Sequence, residues 1–327
     1  MSDAAHASAG DSHALRGGAI AVAASSSAGS DSATGEASLP GTAHDLLPGH
    51  DPLPALALRQ KEQALRQWLA GCPSVLVAFS GGVDSAYLAW VAHDVLGDRA
   101  LAVTADSPSY PERHRAAALD LARGFALRHE IIHTDEVTQD DYRANPVNRC
   151  YYCKRELYTR LRALADDRGV AVIVDGNNAD DRTDHRPGRA AAREMDVRSP
   201  LDDVDLGKAE IRALARDAGL PCWDAPASAC LSSRVPYHSA ITEAKLSAID
   251  RAEGLLQDLG FRVCRVRHHD TIARIELGRD EMARALDPAI HARIVDGIKA
   301  LGFQFVALDL QGYRLGSLNE PIRLRAI

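Results

Sequence analysis

The sequence is poor in aromatic residues, in cysteine and in long apolar runs, and each shortage argues against a class of protein. Its 327 residues include five Phe, three Trp and six Cys. The apolar runs are short and interrupted, so none predicts a membrane span, and the first residues lack the pattern of a secretory signal. We therefore expect a cytoplasmic protein with no membrane partner, whose few cysteines do not form a disulfide framework.

Residues 1–54 lack Phe, Tyr and Trp altogether and are rich in Ala, Ser and Gly. Such a segment cannot bury enough apolar surface to offset its ordering entropy, so we predict a disordered leader. The leader carries six acidic residues and one Arg, which leaves a net charge of −2, of the formal −7, for residues 55–327. A nearly neutral folded part weighs against a nucleic-acid partner, which usually needs a clustered basic face.

Apolar strands alternate with helical segments in the first part of the folded chain. The predicted strands are 74–80, 101–105, 130–133 and 170–174, and the predicted helices are 55–70, 86–97, 111–127 and 154–168. This alternation predicts an α/β fold with a doubly wound parallel sheet, in which ligands bind beyond the carboxyl ends of the strands. Three polar loops, "SGGVDS", "DSPSY" and "DGNNADD", begin at those ends. Their candidate nucleotide-binding residues are Ser80, Gly81, Gly82, Asp84, Ser85, Asp106, Gly176 and Asp180.

A second, smaller α+β domain is predicted for residues 236–327, after a first domain at 55–235. Its helix at 242–259 has Thr242 as the expected N-cap and a buried stripe of Leu246, Ile249 and Leu256. A strand, turn and strand follow at 261–277, then a helix at 280–300 and a last strand near "FVALDL".

The loop "SGGVDS", residues 80–85, suits an anion, because it offers glycines, serine hydroxyls and the backbone N–H groups of a helix N-terminus. The Walker pattern and its lysine are absent, and an ordinary glycine-rich turn is the alternative. The loop resembles the PP-loop of the ATP pyrophosphatases, the superfamily of GMP synthetase and NAD synthetase. This resemblance implies that ATP is split into AMP and pyrophosphate, with Asp84 helping to place Mg²⁺.

Three cysteines stand out by their setting. Cys150 and Cys153 lie one helical turn apart in "RCYYCK", and Cys230 lies in the small-residue stretch "ASACLSSRVPY". A C-x-x-C pair alone fits a redox dithiol, half of a zinc site or two cluster ligands. Placed in loops beyond the sheet, the three thiols would leave one coordination position open, which in a four-iron four-sulfur cluster can carry hydrosulfide. Zinc with a fourth protein ligand, such as a histidine, stays open.

The other three cysteines, Cys72, Cys222 and Cys264, are expected to be small buried or half-buried thiols.

Two arginines and a glutamate in the second domain suggest a phosphate site. Strand alternation puts Arg265 and Arg267 on one face, as a fork suited to a phosphate, although an exposed basic strand face is the alternative. Glu253 falls on the buried stripe of its helix, four residues after Ile249 and three before Leu256. A buried carboxylate needs a partner, and Arg265 or Arg267 would serve.

Together the motifs resemble the LarE family, ATP-dependent sulfur transferases that build the nickel-pincer nucleotide cofactor of lactate racemase. The resemblance covers residues 55–320 and rests on "SGGVDS", "RCYYCK", "DGNNADD", "RPGRAA", "KAEIRALARDAGLP", "ACLSSR" and "GFRVCRVRHHDTIARIE". It implies that ATP adenylylates the carboxylates of pyridinium-3,5-biscarboxylic acid mononucleotide, which then become thiocarboxylates. It also implies a homo-oligomer, as large as a hexamer, with 55–235 as the PP-loop domain and 236–327 as a substrate-binding and oligomerisation domain.

The resemblance also implies roles for single residues. Some members sacrifice the sulfur of the cysteine that matches Cys230 and leave dehydroalanine, whereas others have two more cysteines and bind a [4Fe-4S] cluster. This chain has all three, so Cys150, Cys153 and Cys230 are expected to hold a cluster fed by sulfide or another sulfur donor. Cys230 and Glu253 are then the catalytic candidates, and Arg265 and Arg267 would bind the substrate phosphate.

Two other functions remain open from the sequence. A tRNA thiolation enzyme also combines a PP-loop with three cysteines and a cluster, although this chain shows no evident RNA-binding appendage. A non-enzymatic nucleotide and iron–sulfur or zinc sensor would bind ATP without releasing pyrophosphate.

Overall fold

The computed structural model describes residues 52–182, 187–226 and 229–314, all of which belong to one compact unit. The predicted leader therefore lies outside the described residues, apart from 52–54, which already belong to the first helix. No helix in these three ranges is both long enough and apolar enough to cross a membrane. The predicted domain boundary at 235/236 stays a prediction.

Five parallel strands form the main sheet, which confirms the predicted doubly wound α/β fold. The strand order is β3-β2-β1-β4-β5. The strands are β1 (Val75–Ala78), β2 (Ala100–Asp106), β3 (His129–His133), β4 (Val172–Val174) and β5 (Val197–Arg198). Only β5 was not predicted, because two residues carry too little periodicity to be recognised.

Helices cover both faces of this sheet. They are α1 (Pro52–Ala70), α2 (Val83–Leu96), α3 (Glu112–Gly124), α4 (Asp140–Arg143), α5 (Arg149–Arg168), α6 (Gly188–Glu194), α7 (Pro200–Asp203) and α8 (Lys208–Asp217). Apolar side chains of α1, α2, α3 and α8 pack in one core with one face of the sheet, while those of α5 and α6 pack on the other face. A strand buried on both faces explains the uninterrupted apolar run of β1.

The order of the strands places the polar loops together. β1 pairs with β2 on one side, Val75 opposite Ala100, and with β4 on the other side, Val75 opposite Val172. The connection after β1 leads to β2 on one side, whereas the connection after β3 crosses to β4 on the other side, so a crevice opens at the carboxyl end of β1. The loops that follow β1 and β4 both border this crevice.

One sequence prediction was wrong at the cysteines. Helix α5 begins at Arg149 rather than at residue 154, so Cys150 and Cys153 lie on its first turns and not in a loop. The preceding turn is completed by Asn145, whose φ is +51°, and nothing in "CYYCK" breaks a helix. Of the three candidate cysteines, Cys230 alone lies outside the longer helices, immediately before a 3-10 turn at Leu231–Arg234.

The smaller sheet confirms the predicted α+β character of the second region. Its strands are β6 (Cys264–His269), β7 (Ile272–Leu277) and β8 (Phe305–Leu308); β6 and β7 are antiparallel, and β7 and β8 are parallel. Its helices are α9 (Glu243–Asp258) and α10 (Pro288–Lys299). The side chain of Thr242 caps α9 by accepting a hydrogen bond from the Lys245 N–H at 3.3 Å, as predicted.

The predicted helix at 280–300 is two elements. A 3-10 turn spans Met282–Leu286, and α10 starts afresh at Pro288. Proline has no N–H to continue the preceding turn, and the side chain of Asp287 caps the new helix by accepting from Ala289 and Ile290.

Candidate active site

The PP-loop is held in shape by its own residues. The Ser85 hydroxyl accepts a hydrogen bond from the Ser80 N–H at 3.1 Å and donates to the Gly82 carbonyl at 3.1 Å. Gly81 has φ of +65°, and a Cβ there would lie 2.7 Å from the Ala118 Cβ, so only glycine fits. Gly82 is then the N-cap of α2, which directs the first N–H groups of that helix towards the crevice.

A lysine that sequence reasoning did not single out faces the loop. The Nζ of Lys208, the first residue of α8, lies 2.5 Å from the Oδ2 of Asp84. The other Asp84 oxygen is buried and has no hydrogen-bond partner among the described residues. The Asp180 carboxylate fixes the start of α8 by accepting from the Lys208 N–H at 2.9 Å. A cation therefore stands at the PP-loop, although the Walker lysine is absent.

The remaining candidate nucleotide-binding residues also lie at this crevice. A Cβ on Gly176 would come within 2.9 Å of the Ser85 nitrogen, so the loop after β4 packs directly against the PP-loop. Asp106, at the end of β2, lies 3.9 Å from Arg115 and 3.7 Å from His133. The structure thus brings together the three polar loops that the sequence places at strand ends.

The three candidate cysteines lie near enough to one another for their charges to interact. Cys150 is exposed, whereas Cys153 and Cys230 are half-buried. Burial raises the pKa of the Cys153 thiol well above its usual value, and the charges of Glu136, Cys230 and Cys150 raise it further. Cys153 packs on an apolar cluster that includes residues of the Cys230 loop. Within the described ranges, no three His, Cys, Asp or Glu side chains are spaced to hold a single metal ion.

A cluster is a better match than a single ion for this set of residues. Each thiolate of an iron–sulfur cluster binds its own iron, so the sulfurs need not converge on one point. Glu136 lies beside Cys153, and its Oε2 is buried with no hydrogen-bond partner in the described part of the chain. A buried oxygen without a partner marks a place where a bound polar or metal-containing group would make a contact. The three cysteines and their surroundings therefore fit an iron–sulfur cluster.

Glu253 is paired with an arginine that the sequence did not suggest. Arg234, only 1% exposed, donates to both Glu253 oxygens at 2.9 Å. The same guanidinium also donates to the carbonyls of Ala229 and Cys230 at 2.7 and 3.0 Å. The sequence pointed to Arg265 or Arg267 instead. Helix α9 lies against the backbone of β6, where the Val266 N–H donates to Glu253 at 2.9 Å, and the charge of Arg265 also interacts with that of Glu253.

Both strand arginines are buried, each only 7% exposed, so an exposed basic strand face was the wrong alternative. Arg267 binds both oxygens of Glu276, at 3.0 and 2.7 Å, and the Ser233 carbonyl at 2.8 Å. Arg265 stacks on the Tyr313 ring at 5.2 Å. Burial lowers the pKa of Arg265, and the nearby Arg234 lowers it further. Their phosphate-binding role stays a prediction.

The other three cysteines are as expected. Cys264 is buried, which raises its pKa to about 12, and Cys72 and Cys222 are half-buried.

The loop "SGGVDS" lies at the crevice beside β1, and a lysine and an aspartate lie at the same crevice. A parallel sheet with this arrangement defines a PP-loop nucleotide-binding protein. Residues 58–186 match the NAD synthase family. The pyridinium-3,5-bisthiocarboxylic acid mononucleotide synthase of Lactiplantibacillus plantarum is 36% identical over 266 residues, which are 81% of this chain and 96% of that protein. The chain belongs to the LarE family of PP-loop ATP pyrophosphatases, which is the family that the motifs indicated.

Two further relatives have a higher and a lower sequence identity to this chain than that protein has. An uncharacterized protein of Synechocystis sp. is 43% identical over 265 residues, or 81% of this chain and 99% of that protein. One component of the glutamine-hydrolysing GMP synthase of Methanococcus maripaludis is 26% identical over 157 residues, or 45% of this chain and 50% of that protein.

Proposed function

We propose that this protein is an ATP-dependent sulfur transferase acting on pyridinium-3,5-biscarboxylic acid mononucleotide in nickel-pincer nucleotide biosynthesis. The Lactiplantibacillus plantarum relative, which is similar over nearly its whole length, is a synthase of the corresponding bisthiocarboxylic acid. The observation that carries the proposal is the gathering of Cys150, Cys153 and Cys230 in a chain whose PP-loop is complete.

In the first half-reaction, a substrate carboxylate attacks the α-phosphorus of ATP, and pyrophosphate leaves to give an acyl-adenylate. The N–H groups of the PP-loop and the Lys208 ammonium would hold the phosphates, since both stand at the crevice. Asp84, with one buried oxygen that has no hydrogen-bond partner among the described residues, would bind the Mg²⁺ that accompanies them.

In the second half-reaction, a sulfur nucleophile attacks the acyl carbon and AMP leaves, so that one thiocarboxylate forms for each ATP. Cys150, Cys153 and Cys230 would hold a [4Fe-4S] cluster, which, when bound, would supply hydrosulfide from the iron without a protein thiolate. Glu253 acts through Arg234, which holds the carbonyl of Cys230, so this glutamate would orient the catalytic cysteine. Arg265 and Arg267 would bind the substrate phosphate.

Product analysis with anaerobically reconstituted protein tests the reaction. With ATP, Mg²⁺, sulfide and the pyridinium substrate, we expect AMP and pyrophosphate in step with thiocarboxylate, over repeated turnovers and with no change in protein mass. Formation of ADP and phosphate would contradict the ATP half of the proposal.

Cysteine variants test the cluster. Cys150→Ala, Cys153→Ala and Cys230→Ala should each lose iron and sulfur transfer together, whereas the matched control Cys72→Ala, a half-buried thiol elsewhere in the same domain, should keep both. Sulfur transfer by iron-free protein, with dehydroalanine at position 230, would instead show that Cys230 gives up its own sulfur.

Two companion proposals concern partners. Sulfide, or a protein that releases it, would be the sulfur donor, and the chain would assemble with copies of itself. Turnover with sulfide alone and sedimentation of the purified protein, respectively, test them.

A further inference from the structure

Three buried hydroxyl groups form a closed ring beside Cys230. The Ser109 Oγ lies 2.7 Å from the Tyr142 hydroxyl, which lies 2.5 Å from the Ser232 Oγ, and Ser232 in turn donates to Ser109 at 3.3 Å. None of the three residues is more than 3% exposed. They come from three separate segments: the loop after β2, helix α4 and the 3-10 turn that follows Cys230.

The ring lies between the two reactive parts of the protein. On one side, the Leu231 N–H, next to Cys230, donates to the Ser109 carbonyl at 2.8 Å. On the other side, the neighbouring Tyr110 donates its hydroxyl proton to the Ser80 carbonyl of the PP-loop, also at 2.8 Å. Residues 109 and 110 thus connect the backbone of the Cys230 loop with the backbone of the PP-loop through two hydrogen bonds.

The number of protons limits what such a ring can do. Each hydroxyl has one proton to donate, and three contacts among three hydroxyls use all three. The ring therefore offers no donor to the Cys230 sulfur, and its chemical contribution is geometric. The surroundings favour this role, because Tyr142 belongs to the apolar cluster that includes Leu231, Val235 and Ile249. Buried hydroxyls left unpaired in such surroundings are destabilising.

We propose that Ser109, Tyr142 and Ser232 are positioning residues that fix Cys230 relative to the PP-loop, so that the sulfur meets the acyl-adenylate. The inference rests on the proposed function for its reaction, but its structural part can be measured without that reaction. The link from Ser109 to the PP-loop runs through the next residue, Tyr110, and its side-chain hydroxyl, and it uses none of the ring hydroxyls. The two half-reactions should therefore separate when the contacts among the ring hydroxyls are broken.

The first test is Tyr142→Phe, which removes one hydroxyl and keeps the aromatic side chain that packs in the core. In single-turnover experiments with ATP and the pyridinium substrate, pyrophosphate release should stay within about twofold of the wild type. Thiocarboxylate formation should fall by about 10- to 100-fold, because a small misplacement of a reacting group has effects of this order. Ser232→Ala should act alike, and the double variant should lose no more than the larger single loss, since all break one ring.

Hydrogen exchange provides a readout that does not depend on the reaction. In Tyr142→Phe, the amides of residues 229–235 and of Ser109 should exchange faster, whereas those of β1 and α2 should not change. Tyr87→Phe, which removes a hydroxyl from an equally buried tyrosine of α2, is the matched control and should alter neither half-reaction nor the Cys230 loop.

The outcomes distinguish failure of the positioning role from failure of the proposed function. Equal losses of pyrophosphate and thiocarboxylate in Tyr142→Phe, or undiminished sulfur transfer, would overturn the positioning role. If the wild type itself formed no thiocarboxylate, the proposed function would fail. Unchanged hydrogen exchange at residues 229–235 in Tyr142→Phe would contradict the positioning role independently of that reaction.

Discussion

The PP-loop and the Cys230 loop differ in which residues hold them in shape. The PP-loop takes its shape from hydrogen bonds among its own six residues, Ser80 to Ser85. The Cys230 loop has local hydrogen bonds too, such as that from the Ser233 hydroxyl to the Cys230 carbonyl at 2.8 Å. It is also held by Ser109, Tyr142 and, through Arg234, Glu253, which are distant in the sequence. The geometry of the PP-loop is thus carried largely by its own sequence, whereas that of the Cys230 loop depends in addition on residues far away in the chain.

The largest effect is expected where this dependence is strongest, at Arg234. Arg234→Ala leaves Glu253 buried and without its partner, and breaking a buried ion pair in this way costs about 3–5 kcal/mol. Urea denaturation should show a loss of unfolding free energy of that order. The arginine also holds the carbonyls of Ala229 and Cys230, so sulfur transfer should fall at temperatures where the variant is still folded.

Arg168→Ala is the matched control for Arg234→Ala. Arg168 also donates to both oxygens of a glutamate, Glu130 at 3.1 Å, but its side chain is 43% exposed. Water and salt screen such a pair, so the unfolding free energy should hardly change. If Arg234→Ala were equally harmless, the Cys230 loop would not depend on its distant partners.

The second prediction concerns the lysine at the PP-loop. Lys208→Ala removes the ammonium that faces Asp84, and we expect pyrophosphate release to slow by about 100-fold or more, as when one preorganised donor is lost from a charged transition state. Lys61→Ala, which removes an ion pair with Glu210 in the same helix α8, should leave the rate unchanged. Equal rates for Lys208→Ala and the wild type would mean that the PP-loop needs no residue from outside its motif.

The sequence predicted features that depend on neighbouring residues, such as strands and short motifs. It was less successful with contacts between residues that lie far apart in the chain. The strand alternation and "SGGVDS" were enough for the sheet and the nucleotide crevice. The periodicity of α9 predicted that Glu253 is buried and must be paired. The sequence missed Arg234 as its hydrogen-bonded partner, because that partner is determined by how α9 packs on β6. Lys208 was not singled out, since 124 residues separate it from Asp84.

The cysteines also show that their position in the fold could not be predicted from the sequence. The spacing of Cys150 and Cys153 indicated a redox or metal site without deciding which, and their predicted placement in a loop was wrong. The ring of Ser109, Tyr142 and Ser232 had no signal in the sequence at all, because serine and tyrosine are common and only the fold brings these three together.

A smaller effect should follow from Gly176→Ala. The added Cβ would lie 2.9 Å from the Ser85 nitrogen, so the loop after β4 would have to move away from the PP-loop. Forcing an atom into such a contact costs about 1–3 kcal/mol, and the affinity for ATP should fall with it. Calorimetric titration with ATP measures this change.

Gly124→Ala is the control for Gly176→Ala. A Cβ on Gly124 meets nothing within 4 Å, and this glycine ends α3 with no positive φ. The substitution should slightly stabilise the protein by restricting the unfolded chain. Weaker ATP binding in this control as well would show that the close contact at Gly176 is not what matters.

The smallest effect should be a loss of stability on mild acidification, carried by histidines outside both loops. Burial lowers the pKa of His129, although Glu130 opposes this effect, and burial lowers the pKa of His114 and His268 in the same way. As the pH falls below about 6.5, the unfolded chain therefore binds protons before the folded protein does, and the melting temperature should drop by a few degrees between pH 7.5 and 5.5.

The variant His129→Gln tests the contribution of one of these histidines. Its amide can still contact the Thr104 hydroxyl, which lies 2.8 Å from the His129 ring, and the drop in melting temperature should be smaller. His133→Gln, a change at a side chain that is 80% exposed, should behave as the wild type does. Identical drops in all three proteins would mean that His129 contributes nothing to the acid sensitivity of the fold.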